Sequence, residues 1–137
     1  MQRLDGWEGR LALVVAAATD APYELGRHDC FRFACACAEA LTGDDLSVGF
    51  AGKYKTRRGA LRLARQFAGG GMRVAIGKLL GVADQPPRMA RRGDWLLFND
   101  GAEDHIGICT GAEIAVLAER GLNRVRFDDC VCCWAVG

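Results

Sequence analysis

The chain has 137 residues, half of them hydrophobic, which is enough for one domain with a buried core and too short for two. Its 18 Lys and Arg residues nearly balance its 17 Asp and Glu residues. A formal net charge of +1 creates no long-range field that would attract nucleic acid or an anionic membrane. The composition therefore argues against both of these partners.

No stretch reaches the roughly 18–20 uninterrupted apolar residues that a membrane-spanning helix needs, so no membrane span is expected. The segment Leu11 to Thr19 superficially resembles a signal peptide. It is only about nine residues long, however, and Thr19 to Pro22 is a poor cleavage site. We expect this segment to be an amphipathic helix within a single domain that spans residues 1–137.

The first half of the chain has the periodicity of helices. Gly6 to Ala18 predicts a first helix, which ends near Asp20-Ala21-Pro22 because proline disfavours the helical conformation of the residue before it. Cys30 to Leu41 predicts a second helix, since its apolar residues recur at helical spacing. Asp29 is a suitable N-cap for this helix, and Thr42-Gly43 is a suitable stop.

Two further helices are predicted in the middle of the chain. Arg57 to Phe67 has the pattern of an amphipathic helix. Its predicted apolar side consists of Leu61, Leu63, Ala64 and Phe67. Val74 to Leu80 predicts a short fourth helix. Residues 45–90 then form a helical insertion between the two segments that carry the candidate chemistry.

From Gly93 onward, short apolar segments alternate with turn residues, which indicates an antiparallel sheet. The predicted strands are Trp95–Phe98, His105–Cys109, Glu113–Leu117, Arg124–Phe127 and Val131–Val136. Turns are predicted at Asn99-Asp100-Gly101, Thr110-Gly111 and Arg120-Gly121. The fold class is therefore α+β, with N-terminal helices packed on a C-terminal antiparallel sheet.

Seven cysteines are an odd number without the spacing of a disulfide framework, and free thiols made in a reducing compartment account for them most simply. Cys130 and Cys133 form a C-x-x-C pair, which raises the question of a metal site. Alternation along a strand predicts that they face opposite sides of the sheet, and no nearby histidine completes four ligands. We expect no metal and no cofactor.

Cys30 is the cysteine best placed for chemistry. It lies at the first turn of a predicted helix, where free backbone N–H groups and the helix dipole favour the nucleophilic thiolate. The alternative is a small buried hydrophobic residue. His105 opens a predicted strand, from which an imidazole can approach a group on another element. A surface histidine is the alternative there, and sequence alone does not give the distance between the two side chains.

Pro22-Tyr23-Glu24-Leu25-Gly26, followed by Asp29-Cys30, resembles the nucleophile segment of the NlpC-type cell-wall cysteine peptidases. In that papain-like family, a Pro-Tyr-x-x-Gly stretch precedes Asp-Cys and a helix. Arg92 to Phe98 and His105 to Gly111 are similar to the family's Gly-Asp-apolar-apolar-Phe strand and to its His-apolar-Gly-apolar strand. The two phrases occur in the family's order, and each contains the expected catalytic residue.

The compact spacing resembles a branch of that family found among the tail genes of tailed phages and prophages. Only Arg27-His28 separates Gly26 from Asp29, and the stretches Leu41–Asp44 and Phe50–Thr56 are also similar to this branch. The resemblance implies a protein made in the bacterial cytoplasm and placed in the tail of a virion or gene-transfer particle. Its implied partners are other tail-tip or hub proteins and the peptidoglycan peptide.

The resemblance also implies residue roles. Cys30 would attack an amide carbonyl to form a thioester, while His105 would hold the thiolate as an ion pair and protonate the leaving amine. Tyr23 would bind or polarise the carbonyl, unless it is simply a core aromatic residue. Asp29 and Asp94 would have structural roles near the site, the first as a helix cap and the second at a turn.

The sequence departs from the family where a polar residue usually orients the imidazole. Here the strand after His105 reads Ile114-Ala115-Val116-Leu117, which is apolar. The candidates for an orienting group are therefore Glu119 and Asn123, near the following turn. Loss of an orienting group can slow such a dyad by orders of magnitude while the fold is kept.

The leading functional hypothesis is a tail-associated peptidoglycan hydrolase, an endopeptidase or amidase. The alternative is a structural or assembly protein of the tail that keeps the papain-like fold with little or no activity. A hydrolase of other amides or esters, unrelated to cell walls, is a third interpretation.

Overall fold

The computed structural model describes residues 1–119 and 121–137 of the chain. Within them, the helices are α1 (Trp7–Asp20), α2 (Cys30–Thr42), α3 (Arg57–Ala68) and α4 (Met72–Leu80). The strands are β1 (Trp95–Asn99), β2 (Asp104–Cys109), β3 (Ile114–Ala118), β4 (Gly121–Val125) and β5 (Cys130–Trp134). This arrangement confirms the α+β class, with helices first and strands after.

α2 begins and ends as its sequence predicts. The Asp29 side chain caps its first turn by accepting a hydrogen bond from the Arg32 amide at 2.9 Å. Gly43 adopts a left-handed conformation (φ 81°) after the last turn, and its N–H donates to the Glu39 carbonyl. The position of Cys30, as the first residue of α2, is therefore fixed by local sequence.

The five strands form one antiparallel sheet in the order β4-β3-β2-β1-β5. One face of the sheet, the helix face, packs against α2 around a core that includes Trp95, Leu97, Ile106 and Ile108. The opposite, back face carries a smaller apolar cluster. Its buried members are Leu96, Cys109, Ile114, Val116 and Cys133. None of the helices in the described ranges is long and apolar enough to cross a membrane.

Element boundaries differ most from prediction at β4, which starts at Gly121 rather than Arg124. β4 is an edge strand whose Asn123 and Arg124 are exposed, so its residues show little of the alternation that marks a half-buried strand. Its extent is set by pairing with β3, from Ile114 opposite Val125 onward. The predicted turn at Arg120 lies outside the described residues.

The prediction that Cys130 and Cys133 face opposite sides of the sheet was wrong. The pairing of β1 with β5 shifts register between Leu97 and Phe98, so that Cys133 lies opposite Leu96 and Cys130 opposite Phe98. Both cysteines consequently pack on the back face. All seven cysteines are free thiols.

Gly107 of β2 is required by packing on the back face. A Cβ at this position would lie 2.5 Å from a methyl carbon of Ile114 and 3.2 Å from one of Val116, both of which are buried. Gly107→Ala is expected to lower the free energy of unfolding by about 1–3 kcal/mol because the core cannot yield that space without strain. Denaturant unfolding measures the effect.

Gly9→Ala is the matched control. Gly9 lies in α1 with nothing within 4 Å of the position its Cβ would occupy, so this variant should be more stable by about 0.5–1 kcal/mol. Equal effects of the two substitutions would contradict the packing described for Gly107.

Candidate functional site

Cys30 opens into a cleft of about 310 Å³ between α2, the helical insertion and the hairpin that joins β1 to β2. The thiol is half-buried, and the backbone N–H groups of Ile106 and Phe31 favour its charged form. Burial dominates nonetheless, and it raises the pKa of the Cys30 thiol to about 11. The thiolate expected from the helix N-terminus is thus not the resting form near neutral pH.

Asp29 anchors the floor of the cleft. One carboxylate oxygen accepts hydrogen bonds from the Gly26 amide at 2.7 Å and from the Tyr54 hydroxyl at 2.6 Å, while the other caps α2. Asp29 is 2% exposed, so its charge is stabilised by these donors rather than by water. This matches the structural role expected from the sequence.

Tyr54 ties the helical insertion to the nucleophile segment through its hydrogen bond to Asp29, a role that no local sequence pattern indicates. Burial, followed by the hydrogen bond to Asp29, raises the pKa of the Tyr54 hydroxyl. The approach is close: a Cβ at Gly26 would lie 2.8 Å from the Tyr54 carbonyl oxygen. Gly26 also has φ +91°, so only glycine satisfies both the turn and the contact without strain.

Tyr23 lines the same cleft as Cys30, as the sequence resemblance implied. Its side chain is half-buried, and burial raises the pKa of the hydroxyl. The nearby charge of Glu119 also raises this pKa, whereas Arg57 lowers it. Tyr23 is therefore a neutral group beside the thiol, able to donate a hydrogen bond to a bound carbonyl.

His105 is 5% exposed, and its Nε2 lies 2.9 Å from a carboxylate oxygen of Asp100. The other Asp100 oxygen accepts from the amides of Ala102 and Glu103 at 2.8 and 2.7 Å. The hydrogen bond from the Glu103 amide holds the pKa of the Asp100 carboxyl well below its usual range, and the hydrogen bond with His105 has the next largest effect in the same direction. Because Asp100 is ionised, Nε2 carries the proton, and a neutral imidazole keeps its lone pair on Nδ1.

The side chains of Cys30 and His105 lie on different sides of β2. His105 pairs with Phe98 across the hairpin, and the two rings are 6.2 Å apart on the back face, whereas Ile106 points to the helix face that contacts α2. No hydrogen bond joins the thiol to the imidazole among the described residues. The structure therefore brings the Cys30 sulfur to the amide that follows His105, but does not bring the two reactive groups together.

The remaining predicted residues lie around or away from this site. Neither Glu119 nor Asn123 bonds to His105; both are exposed, and Asn123 is on β4, separated from β2 by β3. The group that holds the imidazole is Asp100. Asp94 has a structural role at the far end of β1, where it accepts from the amides of Arg91 and Val136 at 2.8 and 3.0 Å. It is therefore not near the cleft.

The side chains of Asp100, Glu103 and His105 place one potential metal-ligand atom each within 4.8 Å of one another. Each already has a protein partner, because Asp100 bonds to His105 and Glu103 forms an ion pair with Arg57 at 2.9 Å. A turn aspartate five residues before a strand histidine was the sequence signal for the Asp100 contact. Asn99-Asp100-Gly101 forms the predicted turn, and Asp100 in addition holds the imidazole.

The chain belongs to the family described as "Domain of unknown function (DUF6950)", whose model matches residues 2–136. The match covers nearly the whole chain. No curated protein and no solved structure matches the chain.

Tyr54→Phe tests the anchor at Asp29. Removing the hydroxyl leaves a buried carboxylate with one donor fewer, so the free energy of unfolding should fall by about 1–3 kcal/mol. Tyr23→Phe is the control, since the Tyr23 hydroxyl has no hydrogen bond to Asp29. Equal stability of Tyr54→Phe and the wild type would contradict a structural role for this contact.

The pH dependence of Cys30 alkylation tests the state of the thiol. With a pKa of about 11, the thiolate fraction and the rate of iodoacetamide labelling should rise about tenfold per pH unit from pH 7 to 10. Peptide mass spectrometry resolves Cys30 from the other thiols. A rate already at its plateau at pH 7 would instead indicate a preformed thiolate–imidazolium pair.

Proposed function

We propose that this domain is a papain-like cysteine hydrolase that cleaves an amide bond of cell-wall peptide in association with a phage-type tail. One observation carries the proposal: the Cys30 thiol begins a capped helix, opens into a cleft, and lies against the amide that follows His105. The sequence resemblance to NlpC-type peptidases supports the substrate class and the setting.

In the proposed reaction, Nδ1 of His105 accepts the thiol proton as the Cys30 sulfur attacks the carbonyl carbon. A carbon–sulfur bond forms, the carbon–nitrogen bond breaks, and the imidazolium returns the proton to the leaving amine. Water then hydrolyses the thioester to the free acid and the thiol. Asp100 supports the imidazolium, because its carboxylate accepts from Nε2. Tyr23 is the side chain available to polarise the carbonyl.

The reaction requires the first residues of β2 to move together with the Asp100 turn, so that the imidazole faces the cleft and keeps its bond to Asp100. Two features favour this movement. β3 pairs with β2 only from Gly107 onward, so the end of β2 that carries His105 lacks a partner on that side. Catalytic contacts are also often long in an unliganded site and form when substrate binds.

A second candidate function is a non-catalytic tail component with the same fold. The separation of Cys30 and His105 by β2, together with the raised pKa of the thiol, favours it. This alternative predicts that a particle carrying Cys30→Ser assembles and infects as well as the wild type. A hydrolase needed for entry predicts a loss of infectivity without a loss of assembly.

The direct test is release of free amines from purified peptidoglycan. Cys30→Ala should abolish the activity, and His105→Ala should lower kcat by about 10²- to 10⁴-fold, the usual contribution of a general base. Asp100→Asn should also lower kcat, since it weakens support of the imidazolium. Cys130→Ala is the control, because that thiol is on the back face away from the cleft.

Activity that survives Cys30→Ala would contradict the assigned nucleophile. A folded wild-type protein without any amide hydrolysis, across cell walls of several chemical types, would favour the non-catalytic function.

A further inference from the structure

A second cavity, of about 340 Å³, lies between α1 and the first turns of α2. It shares no lining residue with the cleft in front of Cys30. Small side chains create the space, since four of its nine lining residues are alanines. The apolar part of the lining consists of Val14, Ala17, Ala18, Ala21, Phe33 and Ala36. The cavity therefore has room for a short aliphatic group that packs against carbon.

His28 contributes an unsatisfied polar group to this cavity. Its Nε2 is buried and has no hydrogen-bond partner among the described residues. The backbone of His28 is fixed, because its N–H donates to the Glu24 carbonyl at 2.7 Å and its carbonyl accepts from the Glu24 amide at 3.0 Å. A buried ring nitrogen without a partner has lost its water and gained nothing in exchange. An occupant that accepts a hydrogen bond from Nε2–H would remove this penalty.

Two arginines complete the lining, and none of the described residues that line the cavity is acidic. Arg32 is half-buried, and its one hydrogen bond from a guanidinium nitrogen, to the Gly26 carbonyl, is long at 3.4 Å. Arg27 is 81% exposed and lies 3.7 Å from the Glu24 carboxylate, which is itself largely exposed. Both guanidinium groups are thus held only weakly by the protein and retain donors for an anion.

We propose that this cavity binds a small molecule with a carboxylate on a short aliphatic chain. The carboxylate accepts from His28 Nε2–H and from the guanidinium groups of Arg27 and Arg32, and the chain packs on the alanines. A single negative charge suits the site better than the double charge of a phosphate, because the walls are mostly carbon and an anion is costly to desolvate. The binding site is independent of the proposed hydrolase, since none of its residues has a role in that reaction.

The two histidines of the chain provide the readout. In protein that carries isotope-labelled histidine, NMR resolves the ring signals of both imidazoles, so that His28 reports on the cavity and His105 is an internal control. Titration with butyrate should shift the His28 signals to saturation, with a Kd of about 1 mM for so small a ligand. The His105 signals should stay in place. His28 shifts that grow linearly with butyrate and never saturate would overturn the inference.

Matched ligands separate the effect of charge from that of shape. Butyramide has the shape of butyrate without its charge and should bind about tenfold more weakly, because it loses charge-assisted hydrogen bonds. Acetate lacks two methylene groups and should also bind about tenfold more weakly, since burial of each methylene favours binding. Inorganic phosphate should bind more weakly than butyrate. Binding of butyramide, acetate or phosphate as tight as that of butyrate would overturn the proposed ligand class.

Two pairs of variants locate the site, and the His105 ring signals show that each variant is folded. Ala17→Trp fills the cavity from α1 and should abolish saturable binding, whereas Ala16→Trp, exposed on the same helix and outside the lining, should keep it. Arg32→Gln should weaken butyrate binding about fivefold, the effect of one partly exposed charge pair. Arg62→Gln on α3 loses the same charge away from the cavity and should bind as the wild type does. Butyrate binding that survives unchanged in folded Ala17→Trp, or in Arg32→Gln, would overturn the assignment to this cavity.

Discussion

The buried carboxylate of Asp29 is the interaction on which the site depends. It holds three structures at once: the first turn of α2, the tight turn at Gly26, and the helical insertion through Tyr54. A buried charge is tolerated only when hydrogen-bond donors replace the water it has lost. Removal of any one of the three donors would therefore leave the Asp29 carboxylate incompletely compensated and weaken the whole network. The thiol next to this carboxylate is positioned by a network and not by a single cap.

The same network explains why the thiol is poorly ionised. The helix N-terminus and the nearby N–H groups favour a thiolate, but the adjacent Asp29 charge and withdrawal from water oppose it, and burial has the larger effect. The burial that holds the Cys30 thiol in place therefore also lowers the fraction of it that is present as the reactive thiolate. At His105 the neighbouring carboxylate has a different effect. Asp100 fixes which ring nitrogen of His105 carries the proton.

Local sequence signals predicted the helices, the strands and the α+β class, and predicted the site only in part. The cap at Asp29 and the stop at Gly43 are short-range features, so the position of Cys30 in α2 was readable from the sequence. The direction in which His105 points depends on strand register, and the orienting carboxylate depends on how a turn folds back. Such features arise from hairpin register and loop geometry, which residue periodicity does not encode.

The two ends of the chain meet at the far end of α2. Arg3 donates to the Val136 carbonyl at 3.0 Å and to Asp94 at 2.9 Å, and the Leu4 amide donates to the carbonyl of Leu41 in the last turn of α2. A 13-residue helix is about 20 Å long, so Cys30 lies roughly that far from Arg3 and Val136. A fluorescent reporter attached beside either of these two residues would consequently leave the mouth of the cleft open and the thiol accessible.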